Sequence, residues 1–379
     1  MNSTWNSDLR PIPSMLMRGG TSRGPFFLAS DLPSDEQARN RVLLAVMGSP
    51  DRRQIDGLGG AHPLTSKVGI VSRSTIPGVD LDFLFAQLQP ASDKVDITPN
   101  CGNMLAAVLP FALERGLLAA RGDTTTARIL TLNTGMQCDV TVATPDGHLR
   151  YSGDARIDGV PGTAAPVKIN FLDTAGSVCP SLLPSEGVRD HIHFATADGQ
   201  THQVDATLID NGMPMVLVRA TDFGISGTET VEQLNANQAL RTRLEALRLA
   251  VGDKMGLGDV SQKNYPKMCL VSAPTQGGTI ATRCFIPHVC HDAIGVLAAV
   301  TVATACVLEG TITQGLAQPI EGLQRSVTVE HPTGEFTVEL TLDPRDQQTI
   351  ISAALLRTAR PIMRGEVMIP ADIWKENTE

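Results

Sequence analysis

MLMRGGTSRGPFFLASDLP, residues 15–33, is answered by ATLIDNGMPMVLVRATDFG, residues 206–224. Each stretch reads as a strand, a glycine turn, an apolar strand and an acidic loop. Further echoes follow in the same order. Ser66-Lys67-Val68-Gly69-Ile70-Val71-Ser72 returns as Pro266-Lys267-Met268-Cys269-Leu270-Val271-Ser272. Cys101 and the uncharged run 104–113 return as Cys290 and the run 293–308. A strand-turn-strand unit closes each copy, 129–142 around Thr134-Gly135 and 327–342 around Thr333-Gly334. Ordered self-similarity of this kind means one structural unit made twice.

The two uncharged runs predict helices buried on nearly every face, set among strands rich in β-branched residues. The expected fold is α+β: two pseudo-symmetric domains, each a curved, mostly antiparallel sheet wrapped around a central helix. The Ser-, Pro- and Gly-rich stretch 177–187 suits a linker. This puts the domains at 1–185 and 186–379, with the C-terminal strand crossing back to the first and the active site in the cleft between them. Residues 231–249, with alternating charges, predict a solvated surface helix.

Composition narrows the function. The 379 residues suffice for two domains with a substantial core, and 42% hydrophobic with 19% charged residues is globular. Aromatics make up 4% and the net charge is −9, which together oppose a nucleic-acid partner. Seven scattered cysteines read as reduced thiols, and the N-terminus lacks an apolar signal region. The longest uncharged run falls short of the roughly 20 residues of a membrane span. The expectation is a cytoplasmic protein without a membrane partner. No oligomer signal stands out, and a homodimer through an exposed sheet surface is compatible with the chain.

Three segments could carry chemistry. Asn100-Cys101-Gly102-Asn103 places a cysteine before an apolar run. A helix N-terminus there offers unpaired amides to a carboxylate and favours thiolate. Met17-Arg18-Gly19-Gly20-Thr21-Ser22 joins a cation, glycines and hydroxyls in one turn, with Arg18 able to fork a carboxylate. Lys67 leads an apolar strand, where desolvation makes a lysine a usable base, although a lysine snorkelling at a strand end explains the same spacing. Asp56-Gly57-Leu58-Gly59-Gly60 reads equally well as a tight turn. No P-loop, dinucleotide, HExxH, CxxC or GxSxG pattern occurs, so neither metal nor cofactor is expected. His288 and His291 flank Cys290 and could donate to a ligand carboxylate at the second helix start. Positive helix ends and an acid/base group would suit racemisation, tautomerisation or allylic isomerisation of a small polycarboxylate.

The chain resembles the diaminopimelate epimerase-like superfamily and, more narrowly, the group containing methylaconitate cis–trans isomerase and 4-oxalomesaconate tautomerase. The motifs are MRGGTSRG (17–24), GSPDRRQIDGLGG (48–60), LTSKV (64–68), NCGN (100–103) and NGMP (211–214). They span both halves. The resemblance implies Lys67 and Cys101 as the catalytic acid/base pair. It implies Arg18, Gly19, Gly20, Thr21, Ser22, Asn100, Gly102 and Asn103 around the substrate carboxylates, to which Ser66, Met213, Lys267, His288 and His291 are added. The segment GGAHPLTSKV looks more like the oxalomesaconate tautomerases. Three departures stand out: Arg23 where lysine is expected, Met104 in place of a second glycine, and Cys290 followed by His291-Asp292-Ala293. The last two point away from a two-cysteine amino-acid epimerase. The expected function is cofactor-independent isomerisation of a small unsaturated tricarboxylic acid, 4-oxalomesaconate first. Methylaconitate isomerisation is the alternative, and a carboxylate-binding module without chemistry is the alternative from another class.

Overall fold

The computed structural model describes residues 7–172 and 174–374. Two compact units are present, Met1–Ile169 with Arg357–Glu379, and Asn170–Leu356. In the first, β1 (Leu9–Gly19) and β2 (Ser22–Leu28) form a hairpin, followed by α1 (Glu36–Met47), β3 (Lys67–Arg73), β4 (Leu81–Leu88) and the short β5 (Val95–Asp96). Then come α2 (Gly102–Leu105), α3 (Val108–Glu114), β6 (Thr124–Thr131), β7 (Gln137–Ala143) and β8 (Pro166–Phe171). The second unit holds β9 (Asp190–Ala195), β10 (Thr201–Asp210), β11 (Pro214–Arg219), α4 (Val231–Ala236), α5 (Gln238–Val251), β12 (Lys267–Ser272) and β13 (Ile280–Phe285). It continues through α6 (Val296–Val307), β14 (Gln324–His331), β15 (Gly334–Asp343) and β16 (Asp346–Pro370).

The internal repeat is reproduced strand for strand. β2 runs parallel to β3 as β11 does to β12. β3–β4 and β12–β13 are antiparallel, β4–β6 and β13–β14 parallel, and β6–β7 and β14–β15 antiparallel hairpins. β16 serves both units: its first part pairs with β15 and its last part with β1. The α+β reading stands.

The domain boundary falls at 169/170 rather than 185/186. Residues 175–182 are tied to β10 by hydrogen bonds. The Asp210 carboxylate accepts from the amides of Val178 and Cys179 and from the Ser177 hydroxyl, and the Asp210 amide donates to Leu182. A buried carboxylate needs such donors, and they lie on the stretch read as a linker.

Two helix expectations are corrected. The run 104–113 is not one helix but α2 and α3. Pro110 has no N–H and its ring crowds the carbonyl four residues back, so Ala106 and Ala107 make only i→i−3 bonds to Asn103 and Met104. Residues 231–249 are likewise α4 and α5, with Asn237 capping the second through the Leu240 amide. Nor is α5 a solvated helix: it buries Leu240, Leu244, Leu247 and Val251. Arg248 is fully buried, forked by Glu245 and donating to the carbonyls of Val260, Lys263 and Tyr265. Among the described residues no helix is long and apolar enough to cross a membrane.

Strand alternation sets what faces the first unit's helices. Phe26 packs on Phe83 and on Phe111 of α3, and Gly69 makes room for its ring. Successive side chains point to opposite faces. Ser22, Gly24 and Phe26 of β2, Lys67 and Gly69 of β3, and Phe83, Phe85 and Gln87 of β4 therefore share the helix face. The opposite face carries Phe27, Val68 and Ile70, which pack on Val42, Leu43, Val46 and Met47 of α1.

Candidate active site

Ser22 opens β2, Lys67 opens β3, and Cys101 and Asn103 stand at the start of α2. Gly24 is the hinge of this arrangement: a Cβ there would meet the Lys67 carbonyl at 1.8 Å and the Met104 methyl at 3.3 Å. Only glycine lets β2, β3 and α2 approach so closely. Lys67 is 8% exposed. Its Nζ donates to Gln87 Oε1 at 2.6 Å and lies 4.9 Å from the Phe85 ring centroid. The Gln87 amide is itself fixed by the carbonyls of Pro63, Ser66 and Leu88. The ammonium is thus gripped by one neutral oxygen and one aromatic face, with no carboxylate partner among the described residues.

Cys101 is partly exposed and is the N-cap of α2, with no side-chain capping bond. A four-residue helix has little dipole to offer, so the expected helix field at Cys101 is weak. The positive charge comes from Arg357 of β16 instead. That guanidinium is 2% exposed, and its Nε donates to Asn103 Oδ1 at 3.1 Å. Burial lowers the Arg357 pKa, and the charge of nearby Cys101 acts in the opposite direction. Asn103 Nδ2 donates to Thr21 Oγ1 at 3.0 Å. Gly19 and Gly20 lie directly against Asn103, where Cβ atoms would fall 2.3 and 2.1 Å from its oxygens. Asn100 donates through Nδ2 to Thr134 Oγ1 at 2.5 Å and to Thr131 Oγ1 at 3.3 Å. Its buried Oδ1 and the buried Ser22 Oγ have no hydrogen-bond partner among the described residues. Buried polar atoms left open are candidates for a ligand.

Other sequence-designated residues stand elsewhere. Ser66 is fully buried and spends its hydroxyl on Gln54 Oε1 and the His62 carbonyl. It anchors the 48–60 loop, where Gly57 and Gly59 are needed for close approach to Gly48 and Gln54. That loop is a packed turn. Arg18 projects to the sheet face opposite Lys67, its Nη1 donating to the Gly20 and Thr358 carbonyls and to Thr358 Oγ1. Met213, Lys267, His288 and His291 belong to the second unit. There the Met213 carbonyl accepts from Thr301 of α6. Lys267 Nζ stands 3.8 Å from where a Gly295 Cβ would be, at the start of α6, and burial lowers its pKa. Burial, then Lys267, lowers the pKa of His291, whose Nδ1 accepts from the Ala293 amide. His288 is not at that helix start: it pairs with Glu245 of α5 at 3.3 Å. Cys290 lies in the core, 3% exposed, six residues before α6, and burial pushes its thiol up to about 12.

A reactivity difference follows. Iodoacetamide at pH 8 should alkylate Cys101 and leave Cys138, Cys179 and Cys290 intact, since the thiolate is the nucleophile and burial pushes each of those three thiols up to about 12. Peptide mass spectrometry after partial labelling reads this directly, and faster labelling of Cys290 than Cys101 would refute it.

Gln87 and Arg357 were not anticipated. Gln87 had a signal, as the polar residue in phase with Phe83 and Phe85. Arg357 had a fainter one, a charge in phase with the buried Leu355 and Ala359.

Two α+β units repeating one topology around buried helices are the architecture of the epimerase-like isomerase class. The chain belongs to the PrpF protein family, whose model matches residues 9–370. It is 53% identical over 363 residues to 4-oxalomesaconate tautomerase of Pseudomonas putida, covering 96% of this chain and 97% of that one. It is 52% identical over 357 residues to (4E)-oxalomesaconate Delta-isomerase of a Novosphingobium species, covering 94% and 97%. Among solved structures, methylitaconate-delta-isomerase superposes with a TM-score of 0.84 at 35% identity, over 98% of this chain and 99% of that one.

Proposed function

We propose that the chain is a cofactor-independent isomerase of 4-oxalomesaconate, and that Lys67 and Cys101 carry the proton transfers. The observation that bears most weight is the position of Lys67: 8% exposed and bonded only to Gln87 beside Phe85. In its neutral form the amine takes a proton from the carbon next to the substrate carbonyl. The resulting charge spreads over the conjugated oxygen and alkene. A preorganised cation placed where that charge develops stabilises it without reorganisation. Arg357 occupies that role in place of Arg18, which faces the other side of the sheet. Cys101, or water, returns a proton to a different atom, and Asn100, Asn103, Thr21 and Ser22 supply polar contacts to the carboxylates. The two oxalomesaconate relatives, at 53% and 52% identity, support this substrate over others.

The test follows 4-oxalomesaconate by ultraviolet absorbance and proton NMR in deuterated buffer. Rapid interconversion with deuterium entering one carbon is expected, and the labelled position distinguishes a keto–enol tautomer from an allylic isomer. Absence of exchange, with turnover of 2-methylaconitate in the same tube, would overturn the substrate assignment and leave the isomerase class standing.

A further inference from the structure

We propose that the first unit carries a second anion site on the sheet face away from Lys67 and Cys101, formed by Arg18 and Arg360 and taking a small, multiply charged oxyanion. The strand register is the starting point. Arg23 of β2, Arg18 of β1 and Arg360 of β16 are directly opposite one another across three adjacent strands. Like charges directly opposite each other are destabilising unless something neutralises them. Among the described residues neither Arg18 nor Arg360 has a carboxylate partner. Tyr151, which lines the same space, donates its hydroxyl to Glu114 at 3.3 Å.

Arg18 and Arg360 open onto one cavity of about 200 Å³, shared with Thr358 and Tyr151 and walled by Ala155, Ile157 and residues 160–164. That is below the roughly 300–1,000 Å³ typical of sites for drug-sized ligands and suits a small ion. Arg18 Nη1 is held in place by Gly20 and Thr358, so this guanidinium is fixed in orientation before any ligand arrives. Burial lowers the Arg18 pKa and the charge of Arg360 lowers it further, the electrostatic mark of two cations sharing one space. The site is separate from the catalytic cluster because alternation along β16 sends Arg357 to the helix face and Thr358 and Arg360 to the other. A phosphate and a polycarboxylate present the same chemistry here: two or more anionic oxygens to two guanidinium groups.

Thermal unfolding at constant ionic strength, titrated with inorganic phosphate and separately with citrate, tests the site. Binding to the native state alone raises the melting temperature saturably. Saturable stabilisation by either anion is expected in the wild type and in Lys67→Met. In Arg360→Glu its midpoint concentration should rise about tenfold or more; Arg360 is exposed, so the substitution leaves the fold intact. Arg360→Ser should show an intermediate shift. A response to phosphate alone assigns a phosphoryl ligand, and a response to citrate alone a polycarboxylate. Stabilisation unchanged in Arg360→Glu, or abolished by Lys67→Met, or absent with both anions, would overturn the proposal. Because the readout is binding in a Lys67 variant, failure here leaves the catalytic reading untouched.

Discussion

Replacing Lys67 with Met is expected to lower kcat by about 10²–10⁴, the usual contribution of a positioned general base, while KM moves only a few-fold. The reason is geometric. Nζ makes one hydrogen bond, to Gln87, and lies 4.9 Å from the Phe85 ring centroid on the helix face of β3. A methionine fills the same channel with a flexible apolar chain, so packing survives while the base is lost. Gln87, released from Nζ, keeps its three amide contacts to backbone carbonyls. Stability should fall by no more than about 1–3 kcal/mol, the cost of leaving Gln87 Oε1 without its donor. Steady-state rates on 4-oxalomesaconate decide the matter: a Lys67→Met enzyme with undiminished kcat would remove Lys67 from the mechanism.

Arg357→Met should have the second large effect, and on two quantities at once. Catalytically, the variant loses the cation beside Cys101 and the developing negative charge, for which a drop in kcat/KM of about 10²-fold or more is expected. Structurally, Asn103 Oδ1 loses the Nε donor it accepts from at 3.1 Å. An acceptor stripped of its partner costs about 1–3 kcal/mol. Arg357→Lys keeps the charge but not the planar fork, so it should recover part of the rate. Urea melts and kinetics on the two variants separate these contributions. A loss of stability with an unchanged rate in Arg357→Met would make Arg357 a purely structural residue.

Much of this was legible in the chain. The repeat of 15–33 in 206–224, and of 66–72 in 266–272, carried the two-unit topology because a strand-turn-strand pattern is written locally, in glycines and β-branched runs. Cys101 and Lys67 were marked by their neighbours in the same way. Arg18 shows where motif reading misleads. It shares the MRGGTSRG turn with Ser22, yet on β1 it alternates with the buried Met17 and so faces away from Ser22 and Lys67. The alternation was present in the sequence, and the compactness of the motif obscured it. Pro110 likewise announced the break between α2 and α3.

The sequence by itself therefore determined the unit, its duplication and the two groups proposed to move protons, all of which depend on residues near one another in the chain. Tertiary structure alone decided which charge meets Cys101. Arg357 reaches Asn103 from 254 positions away, because the last part of β16 pairs with β1 in the first unit. Local propensity makes a strand of that segment but is silent on its partner and register. Those are set by which long-range pairing buries the most apolar surface with every backbone amide satisfied.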